Sequence, residues 1–401
     1  MRTLIRNLGQ VVSGDIDAPL ADANEVLIED GRIAAVGRRL ASDGAPSPDQ
    51  VIDAMGSTAM PGLIDSHAHP VFGDFTPRQR TIDFIESGLH GGVTTVMSAG
   101  EVHLPGRPKD VVGLKALAIV AVKSYQNLRP AGVKVHAGAP ILELGLVERD
   151  FAEMAAAGVT LVGEIGLGSV KTGAQAAPMV EWAKAHGMTV TFHTGGPSIA
   201  GSSALGADAV LEARPHIVGH INGGTTAMSD ADIERLIATD MAIEIVQCGN
   251  GRAALHAIRV AASRDDGLRR VILGNDAPSG TGVIPLGILR TMAMLASLGG
   301  VDPGVAVAMA TGNTARVHGL DVGLLAPGRA ADIVLADAPV GSVATTALGA
   351  LAIGDIPGIS MVLIDGEIRI GRSRNTAPAG RAAEVIGGGA PGGGGPAGGG
   401  H

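Results

Sequence analysis

Residues 61–70 read PGLIDSHAHP, an apolar run opened by Pro-Gly and closed by two histidines one residue apart, His67 and His69. Residues i and i+2 of a strand share a face, so a strand here delivers both imidazoles to one point. The rival reading is a pair of polar residues in a turn. Downstream spacing bears on the choice. Short apolar runs recur eight times, as GLIDSHAH, VTTVMSAG, VKVHAGAP, VTLVGEIG, TVTFHTGG, HIVGHING, AIEIVQCG and RVILGNDAP. Helical stretches alternate with them, among them RQRTIDFIESGLHG, DVVGLKALAIVAVKSYQNL, DFAEMAAAG, MVEWAKAHG, DADIERLIA and LGILRTMAMLASLGG, several stopped by Gly. That alternation marks βα units on a parallel sheet. Strand ends fall at Glu164, His193, His220, Gln247 and Asp276, separated by 29, 27, 27 and 29 residues. Eight near-equal units predict an α/β fold, a (β/α)8 TIM barrel over residues 61–320 with its chemistry at the C-terminal strand ends. An open doubly wound sheet is the second choice.

Outside the barrel the pattern changes. EVLIEDGRIAAVG sets two apolar runs around Asp30-Gly31, a hairpin dipeptide, and ADIVLA and ISMVLIDGEIRIG repeat the theme around Asp365-Gly366. Residues 1–60 and 321–376 are therefore expected to pair into one small composite β-domain. Residues 377–401 are assigned to a tail, Gly-rich and disordered from 387, because GGGAPGGGGPAGGGH buries too little apolar area to offset its backbone entropy.

Composition narrows the function. With 46% hydrophobic and 17% charged residues, the 401-residue chain can bury a large core. A net charge of −9 with both signs interspersed argues against nucleic acid or an anionic membrane as partner. Aromatics at 2% leave no stacking platform. No run of about 18 apolar residues suggests a membrane span. Cys248 is the single cysteine and the first residues lack the apolar run of a signal peptide, so a cytoplasmic protein is expected. A small-molecule partner fits best.

His67 and His69 end strand 1, Glu164 strand 4, His193 strand 5, His220 strand 6 and Asp276 strand 8. Four imidazoles and two carboxylates can hold two divalent metal ions, with one carboxylate bridging and positions left open for water. Each residue alone has a plainer reading. A single histidine is a satisfied structural group, Asp276 caps a turn or helix, and Glu164 pairs with Lys171. Six at matching strand ends favour a shared metal site. His136 lies inside strand 3, where a place in the core or a substrate contact are equally open, and His103 follows strand 2 on the mouth side. His90, His186, His216, His256 and His318 fall on helices or connections and read as structural or solvated.

At these residues the chain resembles the amidohydrolase superfamily, whose members carry a strand-1 HxH, a strand-5 His, a strand-6 His and a strand-8 Asp. The resemblance covers residues 1–376, including the entry motif PGLIDSHAHP and the exit motif GLLAPGRAADIVLAD. It implies that both termini form a β-sandwich. One departure is that Glu164 stands where many binuclear members bridge with a carboxylated Lys. More narrowly, HGGVTTVMSAG, HLPGRPKD, SYQNLRPAGVKVHAGA, APMVEWAKAHG, FHTGG, GHINGG, EIVQCGN and GNDAPSGTGVIPLGILR resemble the enamidases. That likeness implies hydrolysis of the cyclic enamide 6-oxo-1,4,5,6-tetrahydronicotinate to 2-formylglutarate and ammonia, a mixed zinc and iron centre, and a homotetramer. On this reading His67, His69 and Asp276 hold one ion, His193 and His220 the other, and Glu164 bridges. Asp276 also moves the proton of catalysis. The substrate carboxylate needs a cation, with Arg78, Arg107, Lys109 and Lys171 as candidates and His103 as a further contact. Left open are another cyclic amide or imide, as in a dihydropyrimidinase-like enzyme, an N-acyl amine, or a non-catalytic metal-binding barrel.

Overall fold

The computed structural model describes residues 1–40, 47–73, 80–104, 106–197, 202–224, 226–278 and 284–387. Arg78 lies outside them. Eight short strands build the central unit: β1 (Leu63–Ala68), β2 (Val93–Ser98), β3 (Lys134–His136), β4 (Leu161–Ile165), β5 (Thr189–His193), β6 (Ile217–Gly219), β7 (Ala242–Val246) and β8 (Val271–Gly274). Every pairing among them is parallel, in one arc from β1 to β3 and another from β4 to β8. Backbone hydrogen bonds stitch the arcs together. Asp276 N donates to His67 O at 2.8 Å and His69 N to Ala277 O at 2.9 Å on one side. On the other, Gly163 N donates to Pro140 O at 3.0 Å and Glu164 N to Ala99 O at 2.9 Å. The result is the expected barrel.

Helices follow each strand: α1 (Thr81–Leu89), α2 (Val111–Asn127), α3 (Glu148–Ala156), α4 (Gly173–Ala185), α5 (Ala207–Ala213), α6 (Asp230–Ile237), α7 (Gly251–Ala262) and α8 (Gly287–Ser297). Four start where a side chain accepts from the first turn: Asp110 from Gly113 N, Thr172 from Gln175 N, Ser229 from Asp232 N and Asn250 from Ala253 N. Sequence periodicity picked out six of the eight. It passed over α5, which is short, and α7, whose start directly after a Gly-Asn-Gly turn masks its pattern.

Ile243 and Ile245 of β7 pack outward with Ile233 of α6 and Ile258 of α7. Inside the barrel, Ile64, Met97 and Leu161 form one apolar layer and Ile217, Ala242 and Ile272 another, closing the floor beneath the metal-ligating candidates. Glu244, between two isoleucines on β7, is left to face the interior, because strand neighbours alternate sides.

Two five-stranded sheets from both termini make the sandwich. One runs Glu384–Gly387, Gln50–Asp53, Arg2–Arg6, Glu25–Glu29, Arg32–Gly37, and the other Glu367–Ile370, Gly358–Ile364, Ile333–Asp337, Thr58–Pro61, Gln10–Val11. Ile5, Ile28, Ile33, Ile52, Ile333, Leu335 and Leu363 fill the space between them. The two predicted hairpins are present, with Asp30 and Gly31 at φ 47° and 79° and Asp365 and Gly366 at 50° and 75°, the paired positive values of the tight hairpin turn.

Two domain boundaries need correction. Residues assigned to the tail belong to the sandwich: Glu384–Gly387 pairs antiparallel with Gln50–Asp53, and Arg381 donates through Nε to Asp337 Oδ2 at 2.7 Å. The strand precedes the glycine run, and the buried Asp337 carboxylate fixes the approach to it. Within 321–376, assigned whole to the β-domain, Ala347–Ile353 is a helix, and its Ala347, Leu348 and Leu351 join the barrel's core.

Candidate metal centre

His67, His69, Glu164, His193, His220 and Asp276 converge at the C-terminal mouth, and all are between 0% and 5% exposed. Glu164 stands in the middle and divides its oxygens. Its Oε2 lies 3.5 Å from His67 Nε2 and 3.6 Å from His69 Nε2, and its Oε1 lies 2.6 Å from His220 Nε2 and 3.4 Å from His193 Nδ1. Asp276 Oδ1 is 3.3 Å from His69 Nε2 and 3.7 Å from His67 Nε2. Lys171 does not pair with Glu164, and its Nζ points at Gly166 O, 3.4 Å away.

The partners behind the imidazoles fix which nitrogen faces inward. Backbone carbonyls only accept, so His69 carries its proton on Nδ1 toward Gly100 O (2.9 Å), and His193 on Nε2 toward Gly196 O (3.1 Å). His67 Nδ1 donates to Glu244 Oε2 at 2.6 Å. A lone pair is thereby aimed into the cage from each of the three rings. His67 Nε2 is buried there with no hydrogen-bond partner among the described residues, a polar atom that a cation would satisfy. Such an inward set of imidazole lone pairs and carboxylates fits two borderline divalent ions.

Electrostatics agree. Burial alone would push the Glu164 carboxyl up, yet His67 and His220 facing it hold it well below the usual glutamate range. Asp276 is likewise buried and is brought below its usual range by the His69 hydrogen bond and by His67. For His67, burial acts downward and the carboxylates of Glu244 and Glu164 overcome it, raising the imidazolium well above its ordinary value. Protons shared in this way are what metal ions displace.

Two of the converging residues also carry backbone strain. His220 and Asp276 take φ of 32° and 56°, a left-handed conformation that costs a residue with a side chain about 1–3 kcal/mol. In β1 the register with β2 shifts between Asp65 and Ala68, and the irregularity lets the adjacent Ser66 and His67 both reach Glu244.

The other predicted contacts divide. His103 packs edge-on against the His69 ring, with centroids 5.6 Å apart, so it belongs to the mouth. Lys171 is half-buried beside Gly166, two residues past Glu164, and Lys109 is exposed. Arg107 is committed elsewhere, its guanidinium 3.2 Å from the buried Glu143, which also accepts from Ser169 N at 2.7 Å. His136 lines a cleft with Arg32, Lys134 and Asp321 that contains none of the six. His90 Nδ1 accepts from Arg374 N and His216 Nδ1 from Val190 N, both structural contacts.

Sequence reasoning passed over the groups behind the ligands. Glu244 is the clearest, and its signal was a lone charge inside AIEIV. Asp65 accepts from His67 N, Asn275 N and Asn275 Nδ2, tying β1 to β8, and burial lifts its carboxyl to about 6. Glu101, 2% exposed, accepts from Phe72 N at 2.6 Å and joins the loops after β1 and β2.

A model of the amidohydrolase family matches residues 58–369, the span that carries all six converging residues. The chain belongs to the amidohydrolase family. It is a hydrolase of that family, and relatives with similar chains define the neighbourhood further. Enamidase from Eubacterium barkeri is 57% identical over 387 residues, 96% of this chain and 100% of that protein. A solved enamidase structure superposes with a TM-score of 0.93 at 56% identity, covering 96% of this chain and 100% of that one. The β-aspartyl dipeptidase of Fervidobacterium islandicum AW-1, at 20% identity and a TM-score of 0.66 over 93% of this chain and 97% of its own, shares the amidohydrolase fold. No helix among the described residues is long and apolar enough to cross a membrane.

Proposed function

We propose that this amidohydrolase opens a cyclic enamide by hydrolysing its ring C–N bond, with 6-oxo-1,4,5,6-tetrahydronicotinate as substrate. One water opens the lactam to an enamine carboxylate, and a second replaces the enamine nitrogen to give 2-formylglutarate and ammonia. The observation that carries the reading is the division of Glu164 between two histidine pairs, in a chain similar to enamidase from end to end.

His67 Nε2, His69 Nε2, Asp276 and Glu164 Oε2 would hold one divalent ion, and His193 Nδ1, His220 Nε2 and Glu164 Oε1 the other. Bound there, the ions acidify water toward neutral pH and polarise the amide carbonyl. Asp276 accepts the proton of the attacking water and returns it to the leaving nitrogen, for which its place 3.3 Å from His69 Nε2 in the cage suits it. Lys171, half-buried next to Gly166, is the best-placed described cation for the substrate carboxylate, with His103 across the mouth and Lys109 further out. The enamidase likeness supports zinc and iron as the ions, a homotetramer, and a cytoplasmic role in nicotinate breakdown.

Ammonia release from 6-oxo-1,4,5,6-tetrahydronicotinate by protein of measured metal content tests this. Turnover is expected, and Asp276→Asn should lower kcat by at least about a hundredfold, the scale of lost acid–base catalysis. Protein with two metals per chain and no turnover of this lactam would sink the substrate assignment.

A further inference from the structure

The two halves of the cage are built unequally. Four protein groups converge on the first position, His67, His69, Asp276 and Glu164 Oε2, against His193, His220 and Glu164 Oε1 on the second; Asp276 also clusters with His220, but its Oδ1 lies 3.3 and 3.7 Å from the His69 and His67 Nε2 atoms. Support behind the rings differs in the same sense. His67 is backed by the fully buried carboxylate of Glu244 at 2.6 Å and His69 by Gly100 O at 2.9 Å. His193 has only the Gly196 carbonyl at 3.1 Å, and His220 Nδ1 is buried with no hydrogen-bond partner among the described residues.

Glu244 is itself held firmly. Ser66 Oγ donates to its Oε1 at 2.6 Å, and His220 N reaches Oε2 at 3.3 Å. A carboxylate behind an imidazole fixes the ring and raises the basicity of the opposite nitrogen, and losing such a partner typically weakens metal binding about 10- to 100-fold. That help reaches an imidazole at one position only, because at the other Glu244 meets the His220 backbone N–H and not its ring. Among the described residues His220 has no partner to fix its ring from behind, so its nitrogen binds a cation with less preorganisation.

We propose that Glu244 makes the two metal positions unequal, so that the His67–His69–Asp276 position retains its ion and the His193–His220 position exchanges. The inference rests on the binuclear reading above. It assigns Glu244 a positioning role, acting through His67 and touching neither metal nor substrate.

The test is metal release from the holoenzyme into excess dipicolinate, followed by elemental analysis of the protein over time. Wild type is expected to lose one equivalent quickly and the second at least about tenfold more slowly. Glu244→Gln should accelerate the slow phase about 10- to 100-fold and leave the fast phase in place. His193→Ala should begin with one equivalent and show the slow phase alone. If Glu244→Gln does not fold, as judged by circular dichroism and melting, wild type and His193→Ala decide the matter. Loss of both ions in a single phase, an unchanged slow phase in Glu244→Gln, or fast loss of the remaining ion from His193→Ala overturns the proposal. Wild type holding fewer than two ions overturns the binuclear reading as well, which separates the two failures.

Discussion

Glu101 shows how one buried carboxyl registers in the stability of the whole chain. Burial lifts its carboxyl from the usual 4.5 to about 7, even though the Phe72 N–H bond acts in the opposite sense. The folded chain therefore keeps a proton that the unfolded chain releases between those values, and the associated stability, full below 4.5, is lost as pH rises to about 7. Glu101→Gln is neutral throughout and still accepts from Phe72 N. Its stability relative to wild type should climb across that window, by up to about 3 kcal/mol at roughly 1.4 kcal/mol per pKa unit. Urea unfolding of both proteins at the two ends of the window measures it, and a difference that ignores pH would mean the group ionises normally. Glu164, His193, His220 and Asp276 were legible at this scale because each sits at a strand end in a repeat of 27 or 29 residues, and His67 and His69 through their i, i+2 spacing at the end of an apolar run. Glu101, Asp65 and Glu244 were not, since nothing local tells a buried acid behind a ligand from one on a surface.

At the scale of elements, the loops after β2, β3 and β4 are tied together by Glu143, which takes Arg107 from the first and Ser169 N from the third. Arg107→Ala should leave this buried carboxylate without its charge partner and cost about 3 kcal/mol of stability. KM for the lactam should stay within a few-fold. A large rise in KM without a fall in melting temperature would return Arg107 to the substrate. Lys171 on the β4–α4 loop predicts the reverse pattern. Lys171→Ala should raise KM about 10- to 100-fold, the worth of a charged hydrogen bond, while melting and kcat change little. Steady-state kinetics on both variants separate the two residues. Loop spacing placed both cations at the mouth, but that Arg107 meets an acid depended on Glu143, 36 residues away.

For the molecule as a whole, the sandwich and the barrel lean on pairs that join distant parts of the chain. Asp337, its side chain 3% exposed, receives Arg381 through N, Nε and Nη2 at 2.9, 2.7 and 2.7 Å. Arg381→Ala should strand that charge and destabilise the protein by about 3 kcal/mol, visible as an earlier urea midpoint. Metal removal should act in the same direction, because ligands that bind only the folded state stabilise it by mass action, about 4 kcal/mol at a thousandfold excess over Kd. Calorimetry of chelated and metal-replete protein checks this, and an unchanged melting temperature would mean that the ions add nothing to the fold.

The sequence by itself determined the eight strands, six of the eight helices that follow them, the two Asp-Gly hairpins and the six side chains that meet at the mouth. Each of these is written within one strand, one turn or one repeat, where apolar periodicity and chain stiffness act over a few residues. Tertiary structure decided that Glu164 turns one oxygen to each histidine pair, that Glu244 backs His67 from 177 residues away, and that Arg381 closes the sandwich on Asp337. Those choices depend on barrel closure and on burial, which set the energy of a charge by what surrounds it rather than by what precedes it in the chain.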